Sequence, residues 1–262
     1  MVEAIHTFVM MKYIELHTEK GVLRGMVHRA AGKANPYPIV IVHGYFSANR
    51  VGPQRLFVEI SNFLSSRGYN VYRFDLSGMG ESDGDISNIK FGDHVDDVET
   101  IINYVRKQHH NKRVIVIAHC LGCNLTLARV LSNQDAFREV IFLAPFYSND
   151  VIMNKLFDDD KLKELVNAKY TYRKGLYADY SFFAENTQQD FIASVNATPI
   201  TINVILPEED QYIPLECNKE TFCRADRINL ITLAGADHNF LQTHDEISSI
   251  ILELLQDEKY TV

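Results

Sequence analysis

The sequence predicts an α/β fold built on a mostly parallel sheet, and two observations carry that prediction. Continuous apolar runs recur at residues 38–43, 69–76, 114–118, 139–144, 199–206 and 227–233, each with the length and β-branching of a strand covered on both faces. Between most of them lie stretches whose apolar residues fall at helical spacing. Strand and helix in alternation imply parallel pairing, because each helix carries the chain back to start the next strand in the same direction.

The chain begins with two alternating segments, 11–17 and 22–29, which read as an antiparallel pair joined at Lys20-Gly21. A polar, proline-bearing connection leads into the strand at 38–43. That strand opens into His43-Gly44-Tyr45-Phe46-Ser47-Ala48-Asn49-Arg50, where glycine permits the tight turn that aims backbone N–H groups at a ligand. Leu56, Ile60, Phe63 and Leu64 predict a helix over 54–67, stopped by Gly68.

The strand at 69–76 runs into Asp75-Leu76-Ser77-Gly78-Met79-Gly80-Glu81-Ser82-Asp83-Gly84. Its glycines make a tightly folded loop, and a dinucleotide cradle is excluded because the third glycine and the helix start are missing. Val95, Val98, Ile101, Ile102 and Val105 predict a helix over 93–107, with His109 and His110 as its solvated end.

Residues 113–127 hold the chemistry. The strand at 114–118 stops at His119-Cys120-Leu121-Gly122, and a helix follows over 121–132. Another strand at 139–144 ends before Pro145. The rhythm breaks over 146–196, which is rich in Tyr, Phe, Lys and Asp, has a helical fragment at 161–166 behind Asp158-Asp159-Asp160, and shows no strong strand. It reads as a small cap inserted over the pocket, whose aromatics, Phe146, Tyr147, Tyr170, Tyr172, Tyr177, Tyr180, Phe182 and Phe183, either line a substrate site or pack the cap on the sheet. The sheet resumes at 199–206, followed by the acidic turn 207–214, a helix at 215–222 and a strand at 227–233. Ala234-Gly235-Ala236-Asp237-His238-Asn239-Phe240 precedes a last amphipathic helix at 244–255.

A chain of 262 residues suits one α/β domain, 1–262, with the cap at about 146–196. A net charge of −8 argues against a nucleic-acid surface. No apolar run approaches the roughly 18 residues of a membrane span, and the expected location is cytoplasmic. The four cysteines, 120, 123, 217 and 223, make no disulfide framework and are expected reduced. No histidine pair has metal-ligand spacing, so neither metal nor cofactor is expected.

Four motifs in order, the 43–50 loop, the 75–84 loop, Ala118-His119-Cys120-Leu121-Gly122 and Gly235-Ala236-Asp237-His238, resemble the α/β-hydrolase superfamily, within it the bacterial cinnamoyl/feruloyl esterases and acylglycerol lipases. The resemblance implies a mostly parallel eight-stranded sheet flanked by helices. It also implies a nucleophile–acid–histidine triad falling on Cys120, Asp210 and His238, with Glu208, Glu209 and Asp237 as competitors for the acid. Its oxyanion donors would be the backbone N–H groups of Tyr45 and Leu121, and Phe46, Tyr147 and Phe183 would contact substrate. His43, His94 and His119 read as packing or hydrogen-bonding residues.

Cysteine where the family's G-x-S-x-G has serine is the departure that matters. A thiol at a helix N-terminus beside an imidazole ionises readily. It acylates easily from a thioester or activated ester, whose leaving group competes with the thiolate, and poorly from an ordinary ester or amide. The expected activity is therefore a thioesterase or acyltransferase working through acyl-Cys120, on a small acyl ester or thioester, CoA- or carrier-protein-bound forms included, with water or an amine as acceptor. Bile-acid-CoA amino-acid acyltransferases and dienelactone hydrolases resemble it in using cysteine on this fold. The alternatives are a feruloyl-type carboxylesterase, a redox protein using Cys120-x-x-Cys123, and a non-catalytic binding protein.

Overall fold

The computed structural model describes residues 10–45, 49–146, 157–173, 176–186 and 190–256. Its main sheet has eight strands in the order β1-β2-β4-β3-β5-β6-β9-β10. These are β1 (Met11–Thr18), β2 (Gly21–His28), β3 (Ile39–Val42), β4 (Val71–Phe74), β5 (Val114–His119), β6 (Phe137–Leu143), β9 (Ile202–Pro207) and β10 (Ile228–Leu233). The first two form the antiparallel hairpin at one edge, β2 is antiparallel to β4, and every pairing from β4 to β10 is parallel. This is the α/β-hydrolase arrangement that the motif order implied.

Side-chain alternation within the parallel strands divides the core into two layers. Ile115 and Ile117 of β5 face one side with Ile39, Ile41, Val71, Ile141 and Leu143. There α1 (Leu56–Ser66) and the last helix, α8 (His244–Gln256), cover them with Leu56, Ile60, Leu64, Ile247 and Ile251. Val114, Val116 and Ala118 face the other side with Val40, Val42, Val140, Phe142 and Val204, under α2 (Phe91–Gln108) and α3 (Gly122–Ser132). Between β9 and β10, α7 (Leu215–Phe222) adds Leu215 and Phe222 to this second layer. Strands covered twice have no polar face to show, which is why they read as unbroken apolar runs. Each side chain so buried contributes about 1.5–3 kcal/mol.

The segment between β6 and β9 differs from its reading. It holds α4 (Asp159–Ala168), α5 (Tyr180–Asn186) and α6 (Phe191–Ala197), but also an antiparallel hairpin of β7 (Tyr170–Arg173) and β8 (Leu176–Asp179) where no strong strand was expected. Alternating tyrosines drive it: Tyr170 stacks on Tyr177 at 5.8 Å, and Tyr172 meets Tyr177 edge-on at 5.7 Å. Cross-strand aromatic pairing supplied what a hydrophobic core run would otherwise have signalled. Asp158 caps α4 by accepting from Lys161 N–H at 2.8 Å, the helix start anticipated for the acidic triplet. The segment docks through α5, where Phe182 packs on Phe91 and His94 of α2 with ring centroids 5.7 and 5.4 Å apart. His109 also departs from expectation: half-buried at the end of α2, it meets the Tyr72 hydroxyl at 2.9 Å and is not merely solvated.

One packing constraint bears directly on the site. A Cβ on Gly122, at the first turn of α3, would lie 2.6 Å from the carbonyl oxygen of His43 and 2.7 Å from that of Val42. Both are backbone atoms that cannot step aside cheaply, so glycine lets α3 start against the end of β3. Gly122→Ala should lower unfolding free energy by about 1–3 kcal/mol through overpacking; a urea midpoint equal to wild type would show that the helix start is free to move.

Candidate active site

The strand β5 delivers its next residue, Cys120, into a left-handed backbone conformation with φ 56°. A non-glycine residue there is strained by its Cβ. The strain is held by neighbours on both sides: Cys120 N–H donates to Leu143 O at 3.0 Å, and α3 follows at once. The side chain stands at the tip of a strand-to-helix corner, half-buried, while Cys123 one turn into the helix is fully buried and donates to Ala118 O at 3.3 Å. Burial raises the Cys123 thiol well above its ordinary range, so the two cysteines of the C-x-x-C sit in unlike environments.

His238, in the turn after β10, is buried with Asp210 from the loop after β9. Its Nδ1–H donates to Asp210 Oδ2 at 2.8 Å, with side-chain exposures of 3% and 1%. Asp210 Oδ1 takes the N–H groups of Tyr212 at 2.8 Å and Ile213 at 3.0 Å, which fixes the carboxylate plane. Two of the competitors are engaged elsewhere: Asp237 Oδ1 accepts from Asn239 and Leu241 N–H, and Glu208 accepts from Gly235 N–H.

Burial alone would depress the His238 imidazole, and it is the largest single influence. The charge of Cys120, hydrogen bonds to Asp210 and Cys120, and the charge of Asp210 together outweigh it and push the ring up to about 10. The imidazole therefore reaches both other residues at once. Cys120, Asp210 and His238, distant in sequence, are brought together at the C-terminal end of the sheet.

Two further histidines hold this constellation while staying neutral. His119 Nε2–H donates to the His238 carbonyl at 2.9 Å, and burial first, then the charge of His238, drives its pKa down to about 3. His43 Nδ1–H donates to Gly44 O at 2.7 Å and its Nε2 accepts from Leu76 N–H at 3.1 Å, with burial pushing it to about 4.

The loop after β3 is thus tied at its first residue, and it is tied again at its last. Arg50 N–H donates to Asp75 Oδ1 at 2.6 Å, the Arg50 guanidinium pairs with Asp75 Oδ2, and it also pairs with Glu81 at 2.6 Å. Gly80 is required there, since a Cβ would lie 2.3 Å from the Asp75 carboxyl carbon. Between these anchors Gly44 approaches so closely that a Cβ on it would lie 3.0 Å from Cys120 Cβ and 3.3 Å from its sulfur. The backbone of Gly44 therefore borders the thiol on one side. On the other, Leu121 is the N-cap of α3, where N–H groups lack intrahelical acceptors.

Phe183 is buried and packs on Tyr45 at 5.6 Å between ring centroids, with Phe182 at 4.4 Å. Phe46 and Tyr147 lie outside the described residues. Two aromatics flank the imidazole: Phe146, one of the candidate lining aromatics, at 5.2 Å, and Tyr212, not named among them, edge-on at 4.8 Å. Tyr212 lies two residues beyond the acid, and that adjacency was the available signal.

A family model, Hydrolase_4, described as "Serine aminopeptidase, S33", matches residues 37–171, half of the chain and all of it from β3 to the hairpin. The chain belongs to this α/β-hydrolase family. Among curated relatives, YfhR of Escherichia coli, named only as an uncharacterized protein, is 24% identical over 213 residues, 80% of this chain and 66% of YfhR, just under two thirds of its length. The mitochondrial palmitoyl-protein thioesterase ABHD10 of Rattus norvegicus is 26% identical over 231 residues, 83% of this chain and 73% of its own. Among solved structures, Est1E of Butyrivibrio proteoclasticus with ferulic acid bound superposes with TM-score 0.77 at 16% identity, covering 92% of this chain and 97% of Est1E. Among the described residues no helix is long and apolar enough to cross a membrane.

Two expected outcomes follow from this geometry. By NMR, the His238 ring should remain protonated at pH 8 and titrate near 10, and in Cys120→Ala its pKa should fall because burial is then opposed by Asp210 alone. Since the folded value lies above the unfolded 6.5, the contribution of His238 protonation to stability is full below pH 6.5 and is lost as pH rises through about 10. Arg50→Met, which strips the fully buried Asp75 of its cation, should cost on the order of 3 kcal/mol in urea unfolding.

Proposed function

We propose that the protein is an acyl-group hydrolase or transferase of the thioesterase class, working through an acyl-Cys120 intermediate. The observation that carries this reading is the Cys120 side chain on a strained corner beside an imidazole whose pKa is raised to about 10 by Cys120 and Asp210. Such an imidazole is protonated at neutral pH, so the site rests with an acid beside the nucleophile, ready to give its proton to the leaving group.

The thiolate attacks the thioester carbonyl, and the oxyanion forms toward the N–H groups of Leu121 and Tyr45. The bond from carbonyl carbon to leaving sulfur breaks, and His238 gives its proton to the departing thiolate. Now neutral, His238 takes a proton from water, or from an amine, as that acceptor attacks acyl-Cys120. The bond to Cys120 then breaks, releasing its sulfur beside the protonated imidazole. Asp210 keeps the proton on Nδ1 so that Nε2 is the working nitrogen.

The rat relative named as a palmitoyl-protein thioesterase supports a thioester substrate. The ferulic acid bound to Est1E, together with the aromatics around His238, supports a feruloyl-type carboxylesterase as the second reading.

Intact-mass spectrometry during incubation with acyl-thioesters and p-nitrophenyl esters tests both. The expected result is a transient acyl adduct, absent in Cys120→Ala, with turnover in that variant reduced about 10⁴-fold. Faster release on adding amines assigns transfer over hydrolysis. Turnover of oxygen esters improved by Cys120→Ser, with no thioester activity in wild type, would move the assignment to the carboxylesterase, and absence of both adduct and turnover would leave a binding protein.

A further inference from the structure

The strands that carry the site at their C-terminal ends gather a different set of residues at the opposite end. Arg113 immediately precedes β5, Thr201 precedes β9 and Arg227 precedes β10, whereas Cys120, Asp210 and His238 follow those same strands. A six-residue strand advances about 20 Å, so the two ends are separate places. At this second end lies a cavity of about 470 Å³, lined by Arg113, Arg138 and Arg227 and by Glu139, Thr201 and Asn203. That volume is within the range of small-molecule sites, roughly 300–1,000 Å³.

Three guanidinium groups outnumber the two carboxyl groups, Asp135 and Glu139, around one hollow in a chain whose net charge is −8. Two are held in place by neutral groups: Arg138 lies over the Tyr37 ring at 5.4 Å, and Arg227 Nη1 donates to Pro199 O at 3.2 Å. Among the described residues neither Arg113 nor Arg227 forms an ion pair.

Glu139 and Asn203 of the lining belong to a polar ladder across three strands, which Asn229 completes behind the cavity wall. Asn229 Nδ2 donates to Asn203 Oδ1 at 2.8 Å, and Asn203 Nδ2 donates to Glu139 Oε1 at 2.9 Å. Burial, opposed by Arg138 and the Asn203 bond, lifts the Glu139 carboxyl to about 7, so this group both donates and accepts near neutral pH. Such a ladder is costly to bury and does nothing for the acyl chemistry at the far end.

We propose that this cavity binds a hydroxyl-bearing phosphate monoester, with Arg113 and Arg227 on the phosphate and Glu139 and Asn203 on the hydroxyls. Guanidinium forks match a tetrahedral phosphate bidentately, and several of them can share its oxygens where one carboxylate would satisfy only a single fork. The proposal is independent of the acyl reading, since it uses none of the same residues.

Calorimetric titration of the full chain with inorganic phosphate, glucose 6-phosphate, AMP and succinate decides it. At least one phosphate ester should bind tighter than inorganic phosphate, and Arg113→Gln and Arg227→Gln should each weaken it about tenfold, the usual size of a lost charge-assisted contact. Glu139→Gln should erase the preference for ester over inorganic phosphate while leaving the melting curve cooperative. Arg227→Glu, at an exposed position, stands in if Arg113→Gln fails to fold. Succinate binding as tightly as the esters, ester binding unchanged in the arginine variants, or no binding of any probe would overturn the assignment.

Discussion

The turn at Cys120 is the constraint on which the rest of the site depends. A left-handed residue costs on the order of 1–2 kcal/mol for anything but glycine, and here it is a cysteine, held by its own N–H on Leu143 O and by a helix that must begin against β3. That start is open only to a residue without a Cβ, which is Gly122. The same crowding recurs at Gly44, where absence of a side chain lets the loop after β3 lie against the thiol. Two glycines and one strained cysteine thus set the mutual position of β3, β5 and α3. A backbone corner placed by packing from two sides presents a side chain that cannot retreat.

Polar groups then fix what surrounds the corner, and they do so while buried. His43 and His119 are each held neutral by burial and each spend a ring N–H on a backbone carbonyl, one on Gly44 and one on His238. A neutral imidazole can be buried without a counter-charge and still join two chain segments, a task that a lysine or carboxylate would perform only at a large desolvation cost. Where charge is buried, at Asp75, it is paired with Arg50 and satisfied by two backbone N–H groups, those of Arg50 and Glu81. The loop from 44 to 50 is therefore anchored at both ends to the 75–81 loop, so the tight glycine-rich segment acts as a mount for its neighbour.

Much of this was legible in the sequence, for a physical reason. Strands covered on both faces have no choice but to be apolar throughout, so 38–43, 114–118 and 199–206 declared themselves, and the order of four motifs pointed to the corner and to His238, while Asp210 was one of four candidate carboxylates after β9 and β10. The hairpin at β7 and β8 was missed because its stabilising contacts are exposed tyrosines pairing across strands, a pattern that hydrophobic periodicity does not register. His109 was misjudged because its partner, Tyr72, lies 37 residues away, and pairing at that range leaves no local trace. The ladder of Glu139, Asn203 and Asn229 was invisible for the same cause: three polar residues on three strands become one feature only when β6, β9 and β10 align in register.

The exchange of serine for cysteine changes what the histidine is for. A serine stays protonated until its base removes the proton during attack, so in a serine site the imidazole must rest neutral. Beside Cys120 the imidazole is pushed up to about 10, and on the proposed mechanism it enters the cycle already carrying the proton it must give away. It becomes a base only after the first leaving group has taken that proton. Attack is then easy and breakdown decides the outcome, because the intermediate expels whichever group leaves better. A thioester leaving group competes evenly with the Cys120 thiolate and an alkoxide does not. On that mechanism a preference for thioesters follows from how evenly the two sulfur leaving groups compete, and the same corner carrying a serine hydroxyl in place of the thiol would select differently.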